Sequence, residues 1–286
     1  MPNTKKLVSD LSKPGPHRVL RGDLALAGLP GVVYTPAEGL NLPAVAFAHG
    51  WLVGPANYDK TLRHLASWGI VVAAPGTERG PIPSHINFAN DVSVALDICT
   101  GVRLGPGQIS VRQDRLGVVG HGMGAGVAVL AAARRPEIAA LACLFPAPTA
   151  PTAESVAADV KSPALVVGSP LELVSMASDP VELAASFAGH AVLRTVTKSS
   201  RDGMVEGRRL LGKIGVGGDF EKKTAKTVRA LLTGFLLFHL TGGDAYAEFS
   251  DAEAEIKKTL VLDPSQPMPA PPKKSGIRQV SQLLGR

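Results

Sequence analysis

The stretch Arg115-Leu-Gly-Val-Val-Gly-His-Gly-Met-Gly-Ala-Gly126 decides the fold. Leu116 to Val119 is an apolar run of strand length, a glycine-rich turn follows, and an alanine-rich helix is expected from Gly126 to Arg134. Strand, tight turn and helix in that order form the elbow that presents a nucleophile in the pattern Gly-x-Ser-x-Gly. The serine occupies the tip, and flanking glycines let the backbone pass closely. Here the pattern is Gly120-His121-Gly122-Met123-Gly124, with Gly122 at the tip. Glycine has no side chain and supplies no alkoxide. The turn is kept while its reactive atom is missing.

Gly120, Gly122 and Ala125 also match the spacing Gly-x-Gly-x-x-Ala of a dinucleotide-binding turn. That fingerprint needs an acid about 20 residues on, at the end of the next strand. Neither the next apolar run, Ala139 to Phe145, nor Pro146 to Ala150 contains one. No nucleotide and no other cofactor is expected.

Outward from the elbow, apolar runs alternate with helical patterns. Strands are expected at Ala44–Ala48, Ile70–Ala74, Ala164–Val167 and Ala191–Thr197, the last of the sheet. Helices are expected at Tyr58–Trp68, Phe88–Val102, Val181–Phe187 and Glu221–Leu240. Arg18 to Tyr34, broken by Gly22 and Gly28-Leu-Pro-Gly31, suggests a β-hairpin that opens the sheet. This alternation predicts an α/β fold: one domain with a mainly parallel twisted sheet, helices on both faces and an N-terminal hairpin. The expected organisation is a flexible N-terminus at 1–17, the domain at 18–263, and a proline- and lysine-rich linker with a flexible tail at 264–286.

Bulk properties narrow the function classes. No apolar run reaches the ~18 residues needed to span a bilayer, and Met1 to Lys6 is not followed by a secretory apolar core. The two cysteines, Cys99 and Cys143, sit in apolar contexts and read as buried thiols. A cytoplasmic protein is expected. The net charge is +6, and the ten basic residues and four acids between Arg194 and Arg229 account for the whole surplus. A solvated face explains this best, with an anionic partner surface as the sharper alternative. No aromatics are interleaved with these charges, so nucleic acid is not expected. No close His, Cys, Asp and Glu spacing suggests a metal.

From about Arg18 to Asp263 the chain resembles the polyester-hydrolase and dienelactone-hydrolase branch of the α/β-hydrolase superfamily. The resemblance rests on Leu42-Pro-Ala-Val-Ala-Phe-Ala-His-Gly50, Asp91-Val-Ser-Val-Ala-Leu-Asp97, Asp114 through Gly124, and Ser162-Pro-Ala-Leu-Val-Val-Gly168. It implies an esterase scaffold and a place for each triad member. The serine position falls on Gly122. The acid position falls on Glu172, although a plain surface acid fits that loop equally. The histidine position, after the last strand, falls on Arg201 within Ser199-Ser-Arg-Asp-Gly-Met-Val-Glu-Gly207. Arginine stays protonated and cannot serve as a general base.

No other histidine fits the role. His49 and His121 read as structural, His239 as packed in the last helix, and His190 as lying at the opposite end of the sheet. His85 sits in a loop that can face the cleft without a nucleophile beside it. The resemblance also implies an oxyanion hole built from the N–H groups of Met123 and Trp51. The expectation is therefore a catalytically inactive pseudo-esterase. Its partner is either a small anionic or ester-like ligand, held by Trp51, Met123 and Arg201, or a protein. An active carboxylic-ester hydrolase with unusual catalytic groups is the alternative.

Overall fold

The computed structural model describes residues 4–170, 180–207 and 220–261. Nine strands form one sheet in the order β1-β2-β4-β3-β5-β6-β7-β8-β9. Their ranges are β1 Val19–Asp23, β2 Gly31–Pro36, β3 Gly39–Ala48, β4 Val71–Pro75, β5 Ile109–His121, β6 Ile138–Leu144, β7 Ala164–Gly168, β8 Ala191–Val196 and β9 Thr259–Val261. The strands from β3 to β8 run parallel, while β1, β2 and β9 pair antiparallel at the two edges. The expected α/β architecture and opening hairpin are therefore present. In that hairpin, Asp23 accepts a hydrogen bond from Ala25 N–H and Gly28 turns the chain at φ 86°.

The helices are α1 Thr4–Leu11, α2 Asp59–Ser67, α3 His85–Gly101, α4 Met123–Ala132, α5 Pro180–Ser186 and α6 Lys222–Thr241. Strand alternation sends Ala44, Ala46 and Ala48 of β3 to one face, where Phe88 and Val92 of α3, Ala128 of α4 and Leu183 of α5 meet them in one core. Val45 and Phe47 point to the other face, toward Leu11 of α1, Leu62 and Leu65 of α2 and Leu231 and Phe235 of α6. Burial on both faces explains why the central strands read as continuous apolar runs.

Two expectations need correction, beside a helix the sequence does not announce: from residue 4 the N-terminus forms α1. Leu7, Val8 and Leu11 give α1 an apolar side in the core it shares with α6, and Trp68 Nε1–H donates to Lys13 O at 3.0 Å. The sheet does not end at β8, because β9 adds an antiparallel edge. Two members of the basic cluster are interior. Arg194 is fully buried on β8 and donates to the carbonyls of Ala254, at 2.6 Å, and Asp251. Arg229 lies 3.5 Å from Glu206, and burial raises that carboxyl's pKa. The segment 264–286 lies outside the described residues.

Buried histidines set the acid response. Burial lowers His64, with Arg229 as a secondary cause, and burial lowers His239 with His190 secondary, each from 6.5 to about 4. The unfolded chain takes up these protons below about pH 6.5 and the folded chain does not, so stability falls as pH drops from 6.5 toward 4. The slope is at most about 1.4 kcal/mol per pH unit for each proton, and smaller for the half-exposed His239. Urea midpoints should fall between about pH 7 and about pH 5, and less so in His64→Phe. An unchanged midpoint contradicts this.

Candidate functional site

The elbow joins β5, at the centre of the sheet, to α4. Gly122 caps the helix with φ 58° and ψ −124°. Its N–H donates to Leu144 O at 2.9 Å, and its carbonyl accepts from Ala125 N–H at 3.0 Å and Ala147 N–H at 3.1 Å. The three glycines of the pattern differ in why they are glycine. A Cβ at Gly120 would lie 1.8 Å from Gly124 O, and one at Gly124 would lie 2.2 Å from Ala48 O. A Cβ at Gly122 would meet nothing closer than Gly50 Cα at 3.7 Å. Packing compels glycine at the flanks, and only the positive φ favours it at the tip. Helix α4 begins at Met123, three residues before the start expected from helix propensity; Gly124 in its first turn approaches the end of β3, and Gly126 approaches Thr149.

The same edge of the sheet carries further strained backbone. Leu52, Glu78, Phe145 and Lys198 have φ of 55°, 53°, 49° and 56°. Each follows the carboxyl end of a strand, β3, β4, β6 and β8 respectively. Left-handed non-glycine residues are uncommon, and they cluster where surrounding structure holds a site in place.

The segments that follow β3, β5, β6 and β8 surround an inner cavity of about 200 Å³, lined by Gly50, Trp51, Tyr58, His121, Gly122, Met123, Arg201 and Asp202, with three apolar residues. It shares Trp51, Met123, Ala147 and Arg201 with an outer basin of about 610 Å³, walled by Pro81, Ile82, Pro83 and Pro148. Three of the residues proposed from sequence, Trp51, Met123 and Arg201, are thus brought together around Gly122. Glu172 lies outside the described residues. Among the described residues that line the inner cavity there is no serine, threonine or cysteine.

His121 is a strut. Its Nε2 lies 2.8 Å from Arg201 O, which can only accept, so the neutral ring carries its proton on Nε2. Nδ1 then accepts from Tyr58 O–H at 2.8 Å, and the Tyr58 oxygen accepts from Gly50 N–H at 3.1 Å. One chain of bonds ties the loop after β3, the elbow and the loop after β8. Tyr58 was not anticipated as a cavity residue. The partners are 63 residues apart in sequence, and nothing local signals the contact.

The other histidines occupy comparable supporting places. His49 bridges Gly50 O at 2.9 Å and Thr77 O at 2.8 Å, and burial lowers its pKa. His85 begins α3 on the outer basin wall and accepts from Ala150 N–H at 3.0 Å. His190 and His239 both reach Ser250, away from the cavity. The thiols of Cys99 and Cys143 are buried, which raises the first to about 12 and the second further.

The PETase family, described as PET hydrolase-like, matches residues 12–188, more than half of the 286 residues. The chain belongs to this family. No curated protein shows significant similarity to it. The matched stretch of this PET hydrolase-like chain includes the elbow and position 172, and it ends before Arg201. Arg201 begins the 3-10 helix that follows β8, and its carbonyl accepts from the elbow histidine. No described helix of this PET hydrolase-like protein is long and apolar enough to cross a membrane.

Proposed function

We propose that the elbow cleft binds a carboxylate or ester carbonyl without forming an acyl-enzyme. The observation that carries this is the tip: the elbow conformation is retained at Gly122, and no side chain stands there to attack. The donors outlast the nucleophile in this arrangement. Met123 N–H opens α4, where helix N–H groups and the helix dipole favour negative charge. Trp51 N–H belongs to the loop that His121 and Tyr58 brace. Arg201 adds a permanent cation at the wall shared by the inner cavity and outer basin. Family membership favours the second reading, a working ester hydrolase, in which another group of the cavity replaces the serine.

Thermal shift tests the binding. A carboxylate or acyl ester present at a hundredfold excess over its dissociation constant should stabilise the fold by about 2.7 kcal/mol. Arg201→Ala removes the guanidinium and keeps the carbonyl that His121 uses. It should abolish the shift and leave the unliganded melting point nearly unchanged, since a partly exposed charge contributes little. Arg201→Lys should recover part of the shift if the contact is bidentate. If no compound shifts the wild type, or if shifts persist in Arg201→Ala, the ligand pocket fails and a protein partner becomes the better account.

A further inference from the structure

A second concave site lies on the other side of the molecule's chemistry, away from the elbow. A cavity of about 350 Å³ is lined by Lys5, Val8, Ser9, Ser12, Lys226, Thr227, Lys257 and Lys258. Its volume falls within the ~300–1,000 Å³ of small-ligand pockets. Three separate parts of the chain build it. Lys5, Val8 and Ser9 share one side of α1, with Ser12 just past its end, and Lys226 and Thr227 come from α6. Lys257 and Lys258 come from the turn into β9. No acid and no arginine is among the described residues that line it.

Lys258 is placed at a cost. Lys258 adopts φ 72°, a conformation that side-chain-bearing residues rarely take. Its carbonyl accepts from Thr197 N–H at 2.9 Å and Thr197 O–H at 3.2 Å, so the strained residue is pinned to the end of β8. Lys226 stands in the second turn of α6, beyond the acid Glu221 that caps this helix. Like charges converging on one hollow repel, and a multivalent anion in the hollow removes that repulsion. The hydroxyls contribute less: Thr227 O–H donates to Lys223 O and Ser12 O–H to Ser9 O. Several ammonium groups acting as point charges on one hollow suit a multiply charged anion such as a phosphate more than a single carboxylate.

We infer that the lysine-lined cavity between α1, α6 and the turn before β9 is a binding site for a phosphate-bearing anion. It is independent of the elbow cleft. The shared chemistry is the phosphate group, carried either by a free ligand or by a lipid headgroup.

Calorimetric titration of the full chain with pyrophosphate, and co-sedimentation with phosphatidylcholine vesicles containing phosphatidylglycerol, separate the two sources. Saturable binding in either arm should weaken as salt is raised. It should fall at least about tenfold in Lys226→Glu/Lys258→Glu and less in the corresponding double Gln variant. Arg103→Glu/Lys161→Glu makes the same change in net charge outside the cavity and should bind as the wild type does. Binding to pyrophosphate alone assigns a free ligand, and binding to vesicles alone assigns a headgroup. Absence of binding in both arms overturns the site, as does an equal loss in the two Glu doubles when both melt as the wild type does.

Discussion

The double variant Gly122→Ser/Arg201→His is expected to hydrolyse short-chain activated esters at least about a hundredfold faster than Gly122→Ser alone, the lower range of what a general base contributes. Space is not the obstacle at the tip, where the nearest neighbour of a new Cβ is Gly50 Cα at 3.7 Å. The backbone at φ 58° and ψ −124° costs a side chain about 1–3 kcal/mol, which the braced elbow can carry. A serine introduced there alone keeps its proton near neutral pH, because Arg201 cannot accept it. His121 does not substitute, since both ring nitrogens are engaged, by Tyr58 and by the Arg201 carbonyl. A histidine at 201 restores an acceptor and leaves that carbonyl in place. Steady-state rates of the two variants decide the matter. Equal rates would show that position 201 does not face the tip as a base must.

Flanking glycines should respond very differently. Gly124→Ala is expected to destabilise the fold by more than about 3 kcal/mol, at or beyond the usual cost of overpacking. Its Cβ would lie 2.2 Å from Ala48 O and 2.5 Å from His49 O, both backbone atoms of the β3 end. Relief requires moving α4 away from the central strand, so core contacts are lost on that face. Gly122→Ala, with open space around its Cβ, should cost about 1–3 kcal/mol from backbone strain alone. Denaturant midpoints of the two variants should therefore be far apart. Similar midpoints would mean that the close approach of α4 to β3 is not what keeps glycine at 124.

These contrasts explain which parts of the molecule were legible in sequence. Gly120 and Gly124 are dictated by backbone contact, so the elbow is written locally in the sequence. The buried runs around Val45, Val72, Val118 and Val166 likewise announce parallel strands covered on both faces. Helix α1 was missed because Leu7, Val8 and Leu11 are a short stripe within a polar segment, made stable by the core it meets and not by propensity. Arg194 and Arg229 were counted with a surface cluster, yet one is fully buried against carbonyls and the other is paired inside with Glu206. A count along the chain cannot register burial. The Tyr58–His121–Arg201 tie and the lysine-lined cavity join residues from distant segments, and such sites exist only after folding.

Intact mass of the wild-type protein after incubation with a fluorophosphonate probe, with Gly122→Ser/Arg201→His as the reactive comparison, bears most directly on the absence of an acyl-enzyme. A cleft that binds without attack predicts an unchanged wild-type mass and a single adduct on the double variant. A stoichiometric wild-type adduct that peptide mapping places on a residue lining the inner cavity would contradict it.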